Sequence, residues 1–247
     1  MSLLKKMTSD ASIANEKDSV GGGGVLASNI YPATVKLAYV TQSDGGAIGL
    51  VLQAQTSAGR DIRETLWMSS GTAKGGKNYY EKDGEKHYIP GFIAANALAL
   101  LTVGQELSDL DTETKVVNVY NKDAKAEVPT KVEMVMDLLG KDILVGLIKE
   151  TVDKTVKNDA GNYVPTGETR EQNTIDKFFR ASDKKTTAEI RAQAEEASFH
   201  DTWLAKWQDK VRDKSSKVAG TAGVPRGSFT GAAANQPTKK PTTSLFA

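Results

Sequence analysis

The sequence contains no cysteine and only two histidines, His87 and His200, among its 247 residues. Without cysteine the chain cannot form a disulfide or offer a thiolate to a metal, which fits a reducing compartment. With only two histidines, the sequence offers few candidates for a histidine-based zinc site or for the histidine of a Ser-His-Asp triad. We therefore expect no metal and no cofactor, and we predict that the protein is not an enzyme.

Long apolar runs are also missing. No segment approaches the roughly 18 consecutive apolar residues that a membrane helix needs. No apolar stretch follows Lys5 and Lys6, so a secretory signal is not expected. With 39% hydrophobic and 26% charged residues, the composition is typical of a soluble globular protein.

The charge is unevenly distributed. From residue 210 to the end there are seven basic residues and one acidic residue, a net charge of +6. The first 209 residues contain 25 basic and 30 acidic residues and are therefore net negative. If the body of such a chain binds nucleic acid, it must do so through a local basic surface.

Changes in composition along the chain indicate four segments. The quartet at 21–24, "GGGG", is typical of a flexible joint, and the residues after 215 offer little to bury and are expected to be disordered. The predicted segments are a flexible arm (1–24), a folded core (25–157), a connector with a C-terminal helix (158–214) and a basic tail with an apolar tip (215–247).

The core begins with three predicted strands, at 30–42, 47–55 and 61–69, joined by tight turns into an antiparallel meander. In the third strand Arg63 and Trp67 share the less apolar face. Asp83 and Gly84 then mark a hairpin between two tyrosine-bearing arms. An Ala/Leu-rich helix ending at Gly104 follows, and strands resume at 115–120, 126–136 and 142–154.

This order of elements predicts a mainly β protein with α appendages, of the α+β class. Three strands, a helix and further strands are typical of an OB-fold, a five-stranded Greek-key barrel that often binds oligonucleotides. Residues 158–169 are predicted to form a turn-rich connector. A capping box at Thr186 and Glu189 predicts a helix that continues to about Lys210.

That helix would present a stripe with i, i+4 spacing. The favoured interpretation is that the stripe packs on the barrel, and the alternative is that its two tryptophans stack on a ligand. The residues of the stripe are Phe199, Trp203, Trp207 and Val211.

The segment "SGTAKGGKNYYEK" nearly matches a Walker A phosphate loop, since Gly71, Gly76 and Lys77 fit G-x-x-x-x-G-K. The next position should be Ser or Thr but is Asn78, and a turn-forming aromatic segment follows where the motif needs a helix. A nucleotide-hydrolysing site is therefore disfavoured.

The same residues suit single-stranded nucleic acid, which needs cations along the backbone and aromatic faces for the bases. Between Thr65 and Tyr80 there is no acidic residue. The alternative is that the tyrosines only pair across the hairpin and the lysines only face solvent. The predicted DNA-binding set consists of Lys36, Arg60, Arg63, Trp67, Lys74, Lys77, Tyr79, Tyr80, Lys82 and Tyr88.

Several ordered blocks resemble a family of single-stranded DNA-binding proteins from tailed bacteriophages. They are "TLWMSSGTAKGGKNYY", "YIPGF", "EVPTKVEM", "GETREQNTIDKFF", "TTAEIRAQAEEASFHDTW" and the terminal "SLFA". The resemblance extends from about residue 21 to residue 217 and resumes at the last residues. It implies an OB-fold core, sequence-independent coating of single strands during phage DNA replication, recombination and repair in the bacterial host cytoplasm, and no catalysis.

In many single-stranded DNA-binding proteins an acidic tail with an apolar tip recruits replication enzymes. Here the tip is Leu245 and Phe246, but Lys239 and Lys240 lie beside it, so self-inhibition by an acidic tail is not expected. We predict that the tip docks phage or host replication proteins and that the protein self-associates on DNA. The alternative function is an OB-like protein-docking or assembly factor that binds no nucleic acid.

Overall fold

The computed structural model describes residues 24–121, 124–159 and 161–216. About half of these residues lie in strands, nearly all of them antiparallel, so the prediction of a mainly β protein is confirmed, and three α-helices pack around the strands. Within this part of the chain no helix combines the length and apolarity needed to cross a membrane. The strands are β1 (Asn29–Gln42), β2 (Ile48–Thr56), β3 (Asp61–Trp67), β4 (Tyr79–Lys82), β5 (Glu85–Tyr88), β6 (Glu113–Asn121), β7 (Ala126–Met134), β8 (Asp142–Lys157), β9 (Tyr163–Arg180) and β10 (Val211–Asp213); the helices are α1 (Pro90–Thr102), α2 (Thr187–Arg191) and α3 (Ser198–Trp207).

The predicted meander is confirmed, because β2 pairs with β1 along its length and with β3 on its other side. A bulge between Val35 and Leu37 interrupts the register of β1, and bulges bend the strand that contains them. The first half of β1 pairs with β8, and its second half meets β7. The long strand β1 therefore has three partners, with β2 on one side and β8 followed by β7 on the other.

The main sheet has eight strands and does not close into a barrel. Its central order is β3-β2-β1-β8-β9. The open edges of β3 and β9 are joined by a side chain instead of a strand ladder, since the Glu64 carboxylate accepts a hydrogen bond from the Ile175 backbone N–H at 2.6 Å.

The predicted connector at 158–169 is wrong for most of its length, because β9 already begins at Tyr163. Fourteen residue pairs join β9 to β8, with irregularities after Gly146 and Asp153. Pro165 and Gly167 suggested a turn, but Pro165 lies opposite Thr155 next to the second irregularity, where a ladder tolerates proline.

The Ala/Leu-rich helix is confirmed as α1, which buries Leu98, Ala99 and Leu101 against the main core. That core lies between α1 and the inner faces of β1, β2 and β8. A second core forms on the outer face, where Tyr39 and Val51 meet Val132 and Met134 of β7. The β6–β7 hairpin therefore folds over part of the outer sheet surface.

The predicted C-terminal helix is interrupted. The capping box at Thr186 is confirmed, but α2 ends at Arg191 and Gln193 has a φ of 52°, a left-handed conformation that stops a helix. The Glu189 carboxylate also accepts a hydrogen bond from the Phe199 backbone N–H, so one side chain serves the first turns of both α2 and α3.

The predicted stripe is only partly a packing surface. Trp203 is buried against Phe179, and its indole N–H donates to the Asp176 carboxylate at 2.8 Å. Phe199 is 39% exposed, whereas Val211 is 47% exposed and belongs to β10. Packing is thus confirmed for Trp203, whereas Val211 lies outside the helix.

Candidate functional site

The loop at residues 70–78, here called the Gly/Lys loop, leaves the end of β3 and closes on itself. Ser70 and Lys77 hold its two ends together, because the Ser70 N–H donates to the Lys77 carbonyl at 2.8 Å and the Lys77 N–H donates to the Ser70 hydroxyl oxygen at 3.0 Å. Gly75 and Gly76 have φ values of 84° and 61°, which glycine adopts without strain. The loop is therefore a small, defined structure.

Although its sequence resembles a Walker A motif, the Gly/Lys loop does not have the structure of the phosphate-binding loop found in nucleotide-hydrolysing enzymes. Only a single 3₁₀ turn, Thr72–Lys74, lies within it, and β4 follows directly. The prediction that no helix follows the motif is confirmed. The helix N-terminus that holds phosphates in such enzymes is absent from this loop.

The hairpin that follows is confirmed with the predicted turn. Asp83 and Gly84 have φ values of 53° and 82°, as a type I′ turn requires. Tyr79 lies opposite Tyr88 and Tyr80 opposite His87, so the first pair shares one face of the hairpin and the second pair shares the other. The hairpin thus carries aromatic side chains on both faces.

The three tyrosines differ in what they can offer a ligand. Two ammonium groups contact the Tyr79 ring, Lys77 at 5.4 Å and Lys86 at 5.0 Å from its centroid, which is cation–π distance. Tyr80 and Tyr88 are 47% and 57% exposed. Tyr79 therefore positions lysines, whereas Tyr80 and Tyr88 present open ring surface.

Trp67 lies at the base of the Gly/Lys loop and is 43% exposed. Its ring covers Gly49 on β2, where an added Cβ would come within 2.9 Å of the ring. Gly91 at the start of α1 approaches so closely that a Cβ there would lie 2.0 Å from the Trp67 carbonyl oxygen. Gly49 therefore leaves room for the Trp67 ring, and Gly91 leaves room for the Trp67 backbone.

Most of the predicted residues come together around the loop and hairpin. Trp67, the loop lysines and the hairpin residues are neighbours because Ser70 pairs with Lys77 and the Ile89 N–H donates to the Asn78 carbonyl at 2.8 Å. Arg63 is exposed on β3, on the same face as Trp67 but four residues earlier. The residues brought together around the loop and hairpin are Trp67, Lys74, Lys77, Tyr79, Tyr80, Lys82 and Tyr88, with Tyr80 and Lys82 on the hairpin face opposite to that of Tyr79 and Tyr88.

Two predicted residues lie elsewhere. Arg60 precedes β3 at the end opposite to Trp67, about 20 Å away along a strand of this length, and donates to the Gly24 carbonyl at 2.6 Å. Lys36 is exposed at the bulge of β1, two strands from β3. Leu245 and Phe246 lie outside the described residues.

A cavity of about 430 Å³, which the sequence did not predict, lies beneath the Gly/Lys loop. Val40 and Leu50 form part of its floor, and Phe92 and Asn78 line it as well. The alternation of β2 could have placed Leu50, but Phe92 resembles any apolar residue of a buried helix. In the sequence Asn78 stands out only as a departure from the Walker motif.

Glu64 was also missed, although it stands between the buried Ile62 and Leu66 on the inner face of β3. Burial raises the pKa of the Glu64 carboxyl to about 7, and the nearby Glu150 carboxylate acts in the same direction. The hydrogen bond from the Ile175 N–H opposes the rise. The sequence signal that could have identified Glu64 is its position between two apolar residues on the same face of a predicted strand.

Comparison of the sequence with protein-family models and with curated proteins finds no match to this chain.

Proposed function

We propose that this chain is a sequence-independent single-stranded DNA-binding protein that coats and protects single strands during phage DNA replication and recombination, without catalysis. The observation that carries the proposal is the surface around the Gly/Lys loop. It combines exposed Trp67, Tyr80 and Tyr88 with the loop lysines, and the chain from Thr65 to Tyr80 contains no acidic residue. Stacking platforms beside cations are what single strands require.

The strand order supports an OB-fold as the scaffold of this surface. An OB-fold is a partly open five-stranded barrel with Greek-key connections. We assign its five strands to β1, β2, β3, β8 and β9, which are neighbours in the order β3-β2-β1-β8-β9. On this assignment α1 follows the third strand, and the β6–β7 hairpin is an insertion before the fourth.

In the proposed mechanism each kind of side chain has one task. Bases stack on Trp67, Tyr80 and Tyr88, each stack contributing about 1–3 kcal/mol. Phosphates pair with Lys74 and Lys77, and Arg63 continues the path along the outer face of β3. Tyr79 holds Lys77 and Lys86 in place through its ring, and we propose this role for it instead of base stacking.

Fluorescence titration with oligo-dT tests the proposal. We expect tryptophan quenching, equal affinity for other base compositions, and a log–log salt slope of about −0.7 per phosphate contact. Tyr88→Ala should weaken binding about tenfold at every sequence, the loss that about 1.4 kcal/mol of stacking corresponds to. Tyr163→Ala is the matched control, because Tyr163 is 68% exposed on β9, away from the loop.

The absence of both quenching and salt dependence would overturn the proposal. Equal affinity for protein partners with and without DNA would instead support the alternative, an OB-like docking or assembly factor. We further propose that the apolar tip at Leu245 and Phe246 recruits phage or host replication proteins. Removing that tip should abolish recruitment and leave the affinity for oligo-dT unchanged.

A further inference from the structure

The cavity beneath the Gly/Lys loop has an apolar interior. Val40 and Leu50 belong to the main core and form its floor, while Met68, Phe92 and Leu110 form walls. Trp67 does not line it, so the cavity is separate from the surface on which the proposed function places stacked bases. Its contents would be shielded from water on several sides.

The mouth of the cavity differs from its floor. Gly75 and Gly76 form part of the rim, and their lack of side chains leaves the entrance unobstructed. Lys77 lies at the same rim, and Lys74 is one residue before Gly75. The entrance therefore favours a ligand with negative charge outside the cavity and apolar surface within it.

The polar side chains that line the cavity differ in whether they are hydrogen-bonded within the described part of the chain. Ser69 is satisfied, since its hydroxyl oxygen accepts from the Ile48 N–H and its hydroxyl donates to the Ser70 carbonyl. The side-chain amide of Asn78, in contrast, forms no hydrogen bond within the described part of the chain. An amide can both donate and accept, so it can bond the edge of any base.

Aromatic rings connect the hairpin surface to the cavity. The centroids of Tyr88 and Phe92 are 4.9 Å apart, and Phe92 lines the cavity whereas Tyr88 is mostly exposed. A strand that stacks one base on Tyr88 is therefore within reach of the cavity for another base. This gives the path by which a ligand would enter.

We propose that the cavity accepts one unstacked nucleobase of the bound strand, with Phe92 against the face of the base and the Asn78 amide on its edge. The inference rests on the proposed function and adds a second kind of base contact to it. A nucleobase has flat apolar faces and a polar edge, which match the walls and the amide. Because an amide satisfies either kind of edge group, this contact preserves indifference to sequence.

Photocrosslinking of the full chain tests the site directly. Oligo-dT carrying 5-iododeoxyuridine at every third position is irradiated in the complex, and the crosslinked residues are identified by mass spectrometry. We expect crosslinks at Phe92 or Met68 in addition to Trp67, Tyr80 and Tyr88. Crosslinks confined to the three surface aromatics would overturn the inference while leaving the proposed function intact. If the full chain does not bind the oligonucleotide at all, both the inference and the proposed function are wrong.

A variant separates the base contact from a phosphate contact. Asn78→Ala should weaken oligo-dT binding about fivefold without changing the salt slope, because no phosphate contact is lost. With an oligomer of abasic units the same variant should bind like the wild-type protein. Ile93→Ala is the control, since Ile93 is exposed on α1 next to Phe92 and does not line the cavity. Equal losses on oligo-dT and on the abasic oligomer would contradict the inference.

Discussion

Glu64 joins the two open edges of the central sheet with a single hydrogen bond to Ile175. A carboxyl whose pKa is raised in the folded state binds its proton more tightly there than in the unfolded chain. Its stabilising contribution is therefore present below the unfolded pKa and is lost as pH rises through the folded value. For Glu64 that loss falls between about 4.5 and about 7.

Glu64→Gln should remove this pH dependence while keeping an oxygen that can accept the Ile175 hydrogen bond. We expect the variant to be more stable than the wild type by about 2–3 kcal/mol at pH 8 and by much less at pH 5, since each pKa unit corresponds to about 1.4 kcal/mol. Urea unfolding at the two pH values measures the difference. Glu127→Gln, on an exposed position of β7, is the control, and an equal effect of Glu64→Gln at both pH values would contradict the prediction.

At the scale of elements, β10 is held to the sheet by charge as well as by its ladder. It pairs with β8 in parallel over three residues. The Arg212 guanidinium contacts the buried Glu150 carboxylate and lies 3.3 Å from Asp176. Although burial alone would raise the pKa of Glu150, hydrogen bonds from Lys214 and Arg212 outweigh it and hold that pKa below its usual value.

Arg212→Ala should release β10 and leave Glu150 with Lys214 and Thr174 as its remaining side-chain partners. Breaking a buried pair costs about 3–5 kcal/mol, and with Lys214 retained we expect a loss of about 2–4 kcal/mol in the free energy of unfolding. Hydrogen exchange at residues 211–214 should accelerate selectively.

Arg191→Ala is the matched control for Arg212→Ala. The Arg191 side chain pairs with Glu106 at 3.2 Å, but both side chains are about half exposed, and exposed pairs contribute at most about 1 kcal/mol. If both variants lose the same stability, or if residues 211–214 stay protected in Arg212→Ala, the network around Glu150 does not hold β10.

The elements that the sequence predicted well are those specified by short-range signals. The β4–β5 hairpin follows from Asp83 and Gly84, and α1 follows from an apolar segment that begins with Pro90 and ends before Gly104. β9 was missed because its first half contains polar and turn-forming residues. Its pairing with β8 stabilises it as a strand, and no local pattern reports that partner.

The candidate site also contains residues that short-range signals predicted and residues that they did not. The sequence located the lysines and aromatics of the Gly/Lys loop and hairpin, since charge and ring content are visible in order along the chain. It did not locate Glu64 or Phe92, whose roles depend on β9 and on the cavity beneath the loop. The roles of Glu64 and Phe92 depend on contacts with segments far away in the sequence, which no local pattern predicts.

For the molecule as a whole, the distribution of charge predicts that the C-terminal tail affects the proposed binding to DNA. Residues 217–247 contain four basic and no acidic residues, so their removal changes the net charge of the chain from +1 to −3. Cations that meet phosphates release counterions and steepen the salt dependence of binding. If the chain binds single-stranded DNA as proposed, we expect the tail to add affinity to the surface around the Gly/Lys loop.

Removal of residues 217–247 should weaken oligo-dT binding and reduce the log–log salt slope by at most about 2.8, which is about 0.7 for each of four cations. A full-length variant with Lys217, Arg226, Lys239 and Lys240 replaced by Gln is the control for length, and it should match the truncation because charge is the proposed cause. Salt-dependent fluorescence titration measures both. Tighter binding after truncation would mean that the tail competes with DNA, and an unchanged slope would place its cations away from the strand.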